Sequence, residues 1–146
     1  LHCLQKKADR RSLTMVAVLF FFGDQIIKYL VRTRLALGES FWSWPPFSIT
    51  YYFNSDGPLS LPIGNTFLIV ATTLILGAVV YFTYREKSGL KKQAGYFLLA
   101  GGVSNLIDRL VLHGTVDYLG LPFGGFWNLA DVSVLIGLVL LLIVDF

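Results

Sequence analysis

The stretch WNLADVSVLIGLVLLLIVDF, Trp127 to Phe146, decides the fold class. It carries one acid near its head, Asp131, and then no charge from Val132 to Val144. A run of about 20 mostly apolar residues matches the hydrocarbon thickness of a bilayer. Three similar runs lie upstream, over about 12–31, 66–84 and 93–112. Hydrophobic residues make up 55% of the 146-residue chain and charged residues 14%. A soluble domain carries about a quarter charged residues. The chain therefore reads as an all-α membrane protein, a single domain over 1–146 with four transmembrane helices.

The first apolar run has the positive flank of a signal peptide. It also contains Asp24 and Lys28 and ends without a small-residue cleavage site, so it reads as a retained helix. Basic residues cluster beside the runs, as Lys6, Lys7, Arg10 and Arg11, and as Arg85, Lys87, Lys91 and Lys92. Such clusters mark cytoplasmic helix ends. Both termini and the second loop are thus expected inside, with 32–65 and 113–126 outside. Arg32 and Arg34 oppose this assignment but are outnumbered, and their long stems snorkel to headgroups. The acid Asp145 is expected at the interface.

The net charge of +3 is spent on topology and implies no nucleic-acid partner. The single cysteine, Cys3, excludes an internal disulfide framework. Two histidines, His2 and His113, without a cysteine cluster offer no structural zinc site, and HExxH is absent. Gly-x-Ser-x-Gly is also absent, so His113 reads as an interfacial residue rather than a triad base. No metal or organic cofactor is expected.

The first outer segment is rich in aromatics: Phe41, Trp42, Trp44, Phe47, Tyr51, Tyr52 and Phe53. Phe47 to Asn54 alternates, with Phe47, Ile49, Tyr51 and Phe53 on one side and Ser48, Thr50, Tyr52 and Asn54 on the other. That pattern predicts a strand, bounded by Pro45-Pro46 and Gly57-Pro58. A small extracytoplasmic β-sheet or loop cap over the helices is expected.

Ionisable groups inside spans are costly and each needs a reason. Asp24 and Lys28 stand i,i+4 on one face, with the acid nearer the amino terminus. A structural salt bridge and a polar clamp facing a site both fit. Gly101, Asn105, Asp108 and Arg109 form a stripe on the third span. Gly101 and Gly102 invite a close helix neighbour. Arg109, with five donors in a fixed fork, is able to pair with Asp108 or another nearby carboxylate, and the stripe reads first as holding the helices together and orienting the acids.

Asp117 follows the third span and Asp131 begins the fourth. The connecting loop contains Gly120, Gly124 and Gly125 and is able to fold back. Two carboxylates in contact do not both ionise easily, so one keeps a proton while the other is a base. Equally, Asp117 fits a loop acid and Asp131 a helix-cap acid near the helix's positive end. Spacing alone leaves both readings open.

Four ordered blocks resemble the lipoprotein signal peptidase family, also called signal peptidase II. They are Asp24-Gln25-Ile26-Ile27-Lys28; Asn54 in its aromatic strand; Gly101-Gly102-Val103-Ser104-Asn105-Leu106-Ile107-Asp108-Arg109; and Val116-Asp117-Tyr118 with Trp127-Asn128-Leu129-Ala130-Asp131. They span nearly the whole chain. The resemblance implies that Asp117 and Asp131 are catalytic. It implies that Asn54, Asn105, Arg109 and Asn128 line or support the site, and that Asp24, Lys28 and Asp108 are further motif positions. The implied substrate is a prolipoprotein whose cysteine carries a diacylglyceryl group, cut just before that cysteine. The implied setting is the bacterial plasma membrane, with the site on the extracytoplasmic side beside membrane lipid. Nothing demands more than a monomer. One departure stands out: Asn54-Ser55-Asp56-Gly57-Pro58-Leu59 displaces the family's glycine by one and adds an acid and a proline. Asp56 is expected to stay solvated and outside the chemistry.

Two other classes remain as rivals. A proton-coupled carrier also places ionisable residues in spans, though nearer the midplane. A non-catalytic relative would use the groove only to bind lipidated peptides.

Overall fold

Long apolar runs become helices here, and the polar segments between them supply a sheet. In the computed structural model the order is α1 (His2–Arg34), β1 (Ser40–Trp44), β2 (Phe47–Asn54), α2 (Asn65–Arg85), α3 (Gly89–Leu112), β3 (Thr115–Gly120), β4 (Phe126–Trp127) and α4 (Leu129–Asp145). The structure describes residues 2–57, 62–87, 89–122 and 125–145, with side chains within 12–144. The side chains of Lys6, Lys7, Arg10, Arg11 and Asp145 lie outside the described residues, as do Pro58, Leu59, Gly124 and Phe146.

Three helices, Ser12–Arg34, Asn65–Arg85 and Gly89–Leu112, are long and apolar enough to cross a membrane. The fourth apolar helix, Leu129–Val144, is shorter. The 17 residues of α4 reach about 25 Å, against a hydrocarbon core of roughly 30 Å. The helix starts at Leu129, two residues inside the stretch expected over about 127–146. Phe126 and Trp127 pair with Gly120 and Leu119 as strand β4, and Asn128 intervenes before the helix begins.

α3 is central and packs against α1, α2 and α4. Its buried residues Gln93, Phe97, Gly101, Ser104 and Asp108 recur every three or four positions, which is one helical stripe. On α1 the buried stripe is Ala17, Asp24, Lys28 and Val31. α2 buries only Leu68, Leu76 and Thr83. Many of its other large apolar side chains, such as Leu74 and Phe82, are exposed, as suits a helix solvated by lipid. α3 and α4 make a close helix contact at Gly101. A Cβ there would run into the Ala130 carbonyl oxygen and lie 2.8 Å from Val134 Cγ2. Gly102 faces α2, where a Cβ would stand 2.7 Å from Leu76 Cδ2. Both glycines thus allow the approach expected of them.

The strands form one antiparallel sheet in the order β1-β2-β3-β4. They join the end of α1 to the start of α2 and the end of α3 to the start of α4. All four of these helix ends therefore meet the sheet at one end of the bundle. The strand expected over Phe47 to Asn54 is β2. Its expected alternation is corrected midway. The register shifts between Ile49, paired with Leu119, and Tyr52, paired with Asp117. Two residues of β2 oppose one of β3 there, a β-bulge. Cross-strand partners share a face, so Ile49, Tyr52 and Asn54 lie on the Asp117 face. Tyr51 and Phe53 instead pack on the opposite side against Val31, Val116 and Tyr118.

Candidate active site

Strand alternation aims successive residues of β3 in opposite directions. Asp117 faces an open cleft, while Val116 and Tyr118 enter the core beside Val31. The cleft measures about 650 Å³ and runs between α2, α3 and α4. Its polar end holds Asn54, Asn105, Arg109, Asp117 and Asp131. Its long flank is apolar, with Leu68, Ile75 and Val79 from α2 and Leu135 and Leu138 from α4.

α4 begins with a reciprocal cap. The Asp131 amide donates to Asn128 Oδ1 at 2.9 Å, and the Asn128 amide donates to Asp131 Oδ2 at 3.1 Å. This capping box satisfies two helix-end donors at once. Asn128 also reaches the other acid, its Nδ2 donating to Asp117 Oδ1 at 2.7 Å. The remaining oxygens also have donors. Asn105 Nδ2 reaches Asp131 Oδ1 at 2.8 Å, and Asn54 Nδ2 reaches Asp117 Oδ2 at 3.3 Å. Every oxygen of the two carboxylates is thus held by an N–H, and three asparagines do the holding. Burial, then the charge of Asp131, pushes the Asp117 carboxyl up to about 6. Hydrogen bonds from Asn128 and Asn54 and the charge of Lys28 pull the other way. Asp117 is only 3% exposed, so desolvation of the anion dominates.

Behind this pair lies a buried ionic cluster. Lys28 Nζ meets Asp24 Oδ2 at 2.7 Å and Asp108 Oδ2 at 3.0 Å. It also donates to Asn105 Oδ1 at 2.8 Å. That contact turns the Asn105 amide so that its NH2 faces Asp131. Ser104 Oγ donates to Asp24 Oδ2 at 2.6 Å. Asp108 Oδ2 accepts the Val116 amide at 3.1 Å, which anchors β3 one residue before Asp117. Among the described residues, every buried side-chain nitrogen and oxygen has a partner. A buried charge is tolerable only on that condition.

The α3 stripe therefore divides. Ser104 and Asp108 turn to α1, while Asn105 and Arg109 line the cleft. Among the described residues Arg109 makes no ion pair within 4.0 Å of a carboxylate. Its Nη2 donates to the Asp56 carbonyl at 3.0 Å, and its Nη1 to Asn65 Oδ1 at 3.4 Å. Adjacent helical residues point roughly 100° apart, so Asp108 and Arg109 serve different neighbours and Lys28 supplies the cation for Asp108. The Asp56 side chain is exposed; among the described residues its backbone is engaged, by Arg109 and by Asn54 Oδ1. His113 is exposed, with φ 63°. Sequence reasoning assigns no role to Gln25 or Tyr118. Gln25 Nε2 donates to Ser104 Oγ at 2.8 Å. The i,i+4 relation of Ser104 to Asp108 is the available signal for this second face. The described residues contain no group of three or more potential metal ligands.

The fold and site define a class: a small polytopic membrane protein whose paired, asparagine-held carboxylates head an apolar cleft, as suits a membrane hydrolase. Comparison with known proteins narrows this. The family model described as signal peptidase (SPase) II matches residues 16–146. Lipoprotein signal peptidases of Staphylococcus aureus strains JH9 and Newman are each 34% identical over 148 residues, covering 96% of this chain and 91% of theirs. Two solved bacterial membrane enzymes, determined by the in meso method at 2.3 and 1.9 Å, superpose with TM-scores of 0.82 and 0.80. Both are 31% identical and cover 91% of this chain, with 86% and 91% of their own chains covered. The chain belongs to the signal peptidase II family, and it is a protease.

Proposed function

We propose that Asp117 and Asp131 form the catalytic dyad of an aspartic endopeptidase that cleaves diacylglyceryl-modified prolipoproteins just before the lipidated cysteine. Removal of signal peptides from prolipoproteins follows from the family. The observation that carries it is Asn128, which bonds Asp117 directly and Asp131 through the cap, at the head of the cleft.

One carboxylate, ionised, takes a proton from water as the water attacks the scissile carbonyl. The other, protonated, donates to the carbonyl oxygen; the first then passes the proton it took from water to the leaving nitrogen as the C–N bond breaks, and the second recovers its proton as the carbonyl reforms. The raised Asp117 carboxyl supports such sharing, and the two protons leave in steps that belong to the pair. Asn54, Asn105 and Asn128 hold the carboxylate oxygens, and Arg109 fixes the backbone beside Asn54. The apolar flank between α2 and α4 suits an acyl chain that stays in the bilayer. Anchoring the lipid there brings the amide to the dyad, a gain in proximity rather than in chemistry. Four spans, both termini cytoplasmic, a monomer and an extracytoplasmic site complete the proposal. Placement of the sheet beside the polar end of the cleft supports a cap over the site.

The test is release of the signal peptide from a diacylglyceryl-modified prolipoprotein by purified protein. Asp117→Asn and Asp131→Asn, each shown to be folded, should abolish release, and chelators should have no effect. Persistent cleavage by both variants would sink the dyad.

A further inference from the structure

The buried cluster around Asp24 reaches α4 by two routes. One runs through Lys28 and Asn105 to the Asp131 carboxylate. The other runs through Tyr118. Its hydroxyl donates to Asp24 Oδ1 at 2.9 Å and accepts the Leu129 amide at 3.0 Å. Leu129 is the first residue of α4, directly after Asn128. Its N–H is one of the four helix-start donors that lack a partner within the helix. A side chain from β3, eleven positions back in the chain, satisfies it.

Tyr118 does not line the cleft. It is 2% exposed, on the face of β3 opposite Asp117, and packs with Val31 and Val116. Burial, then the charge of Asp24, pushes its hydroxyl well above the usual range. The hydroxyl therefore stays protonated and donates to Asp24 throughout the working pH range, leaving a lone pair for the Leu129 amide.

The consequence is geometric. Asp117 and Tyr118 are adjacent on strand β3, which is paired on both sides, and Leu129 is two residues before Asp131 on the first turn of α4. We propose that Tyr118 is a positioning residue: its hydroxyl pins the start of α4 to β3 and to Asp24, and so sets the separation of Asp117 and Asp131. This rests on the dyad reading above. The hydroxyl touches neither carboxylate, and its removal leaves the Asn128 bonds available but no longer held from behind. Substrate binding along the apolar flank does not depend on it, so the effect falls on kcat rather than KM.

Tyr118→Phe removes one atom and keeps the ring in its hole. The expected result, on protein verified as folded by circular dichroism, is a loss in kcat of about tenfold with KM within about twofold. Leu129→Pro cuts the same link from the other side, because proline has no N–H and is well accommodated at the first helical position. Leu129→Ala, which keeps the N–H, controls for the lost side chain. Leu129→Pro should lose kcat as Tyr118→Phe does, and Leu129→Ala should not. The pair remains decisive if Tyr118→Phe fails to fold. Asp117→Asn and Asp131→Asn run alongside. If they are inactive but Tyr118→Phe keeps full kcat, or Leu129→Pro matches Leu129→Ala, the positioning role is overturned and the dyad stands. If they cleave normally, both readings fall.

Discussion

Asn128 and Asp131 hold each other through two hydrogen bonds that run in opposite directions, amide to side chain each way, at 2.9 and 3.1 Å. The same Asn128 side chain donates to Asp117 at 2.7 Å. Starting the helix and assembling the candidate dyad are therefore one structural act.

Asn128→Ala should damage both functions. Loss of an N-cap costs about 1 kcal/mol of stability, visible as a lower unfolding midpoint. Prolipoprotein cleavage should fall by more than that destabilisation explains, because Asp117 also loses its shortest donor. Asn128→Asp keeps a capping oxygen but replaces the Nδ2 donor with a third acceptor facing Asp117. Fully buried beside two carboxylates, the new acid should lower the midpoint at neutral pH at least as much as Asn128→Ala and cleave no faster. Wild-type turnover in Asn128→Asp would contradict this account.

Asp117 gives stability a pH dependence of defined sign. Its folded value of about 6 lies above the roughly 3.9 of an unfolded chain. Between these values the folded protein binds more protons than the unfolded one, so stability falls as pH rises from about 4 to about 6. The full loss is on the order of 3 kcal/mol for two units. Thermal unfolding of Asp117→Asn should lack this part of the decline when midpoints at mildly acidic and neutral pH are compared.

Lys28 sits between two buried carboxylates, Asp24 at 0% and Asp108 at 4% exposure. Lys28→Met leaves both uncompensated, and removing one partner of a buried ion pair costs about 3–5 kcal/mol. Unfolding midpoints of Lys28→Met, Asp108→Asn and the double variant should be non-additive, with the double variant milder than the sum. Strict additivity would mean that the pair is not coupled.

Gly101→Leu should separate α3 from α4, since even a Cβ meets the Ala130 carbonyl. Overpacking costs typically about 1–3 kcal/mol, and more is expected where the obstacle is backbone. Because Ala130 adjoins Asp131, activity should fall along with stability in the same unfolding and cleavage assays.

Asp56→Asn should leave turnover nearly intact. Among the described residues Asp56 is engaged through its backbone, its carbonyl accepting from Arg109, while its side chain is exposed. Arg109→Lys should be harmful, because a single ammonium does not reproduce a planar fork that reaches both Asp56 and Asn65. A collapse of kcat in Asp56→Asn would show that its carboxylate acts in the reaction.

Much was legible in one dimension. Apolar runs bounded by charges located the helices, because lipid tolerates few ionised groups. The i,i+4 spacing of Asp24 and Lys28 foretold their 2.7 Å bridge, since neighbours on a helical face need no knowledge of the fold. Alternation located β2, and the four ordered motif blocks pointed to the family. Three features were not legible. The bulge opposite Tyr118 moved Ile49 to the Asp117 face, and a register depends on the partner strand. The short strands β3 and β4 turned Asp117 from a loop acid into a strand residue, because their pairing is decided by contacts beyond the local sequence. Arg109 meets the Asp56 carbonyl while Lys28, distant in sequence, meets Asp108, because adjacent residues of α3 point roughly 100° apart and their neighbours come from distant segments.

The sequence by itself determined the solvent of this protein, the identity of its buried charges and the family it belongs to. Those follow from composition, periodicity and motif order, which are properties of a line of residues. Only the tertiary structure decided which amide meets which carboxylate. Asn54, Asn105 and Asn128 come from a strand, a helix and a helix cap that are far apart in the chain. A hydrogen bond acts over about 3 Å, so the pairings exist only once the sheet and four helix ends converge.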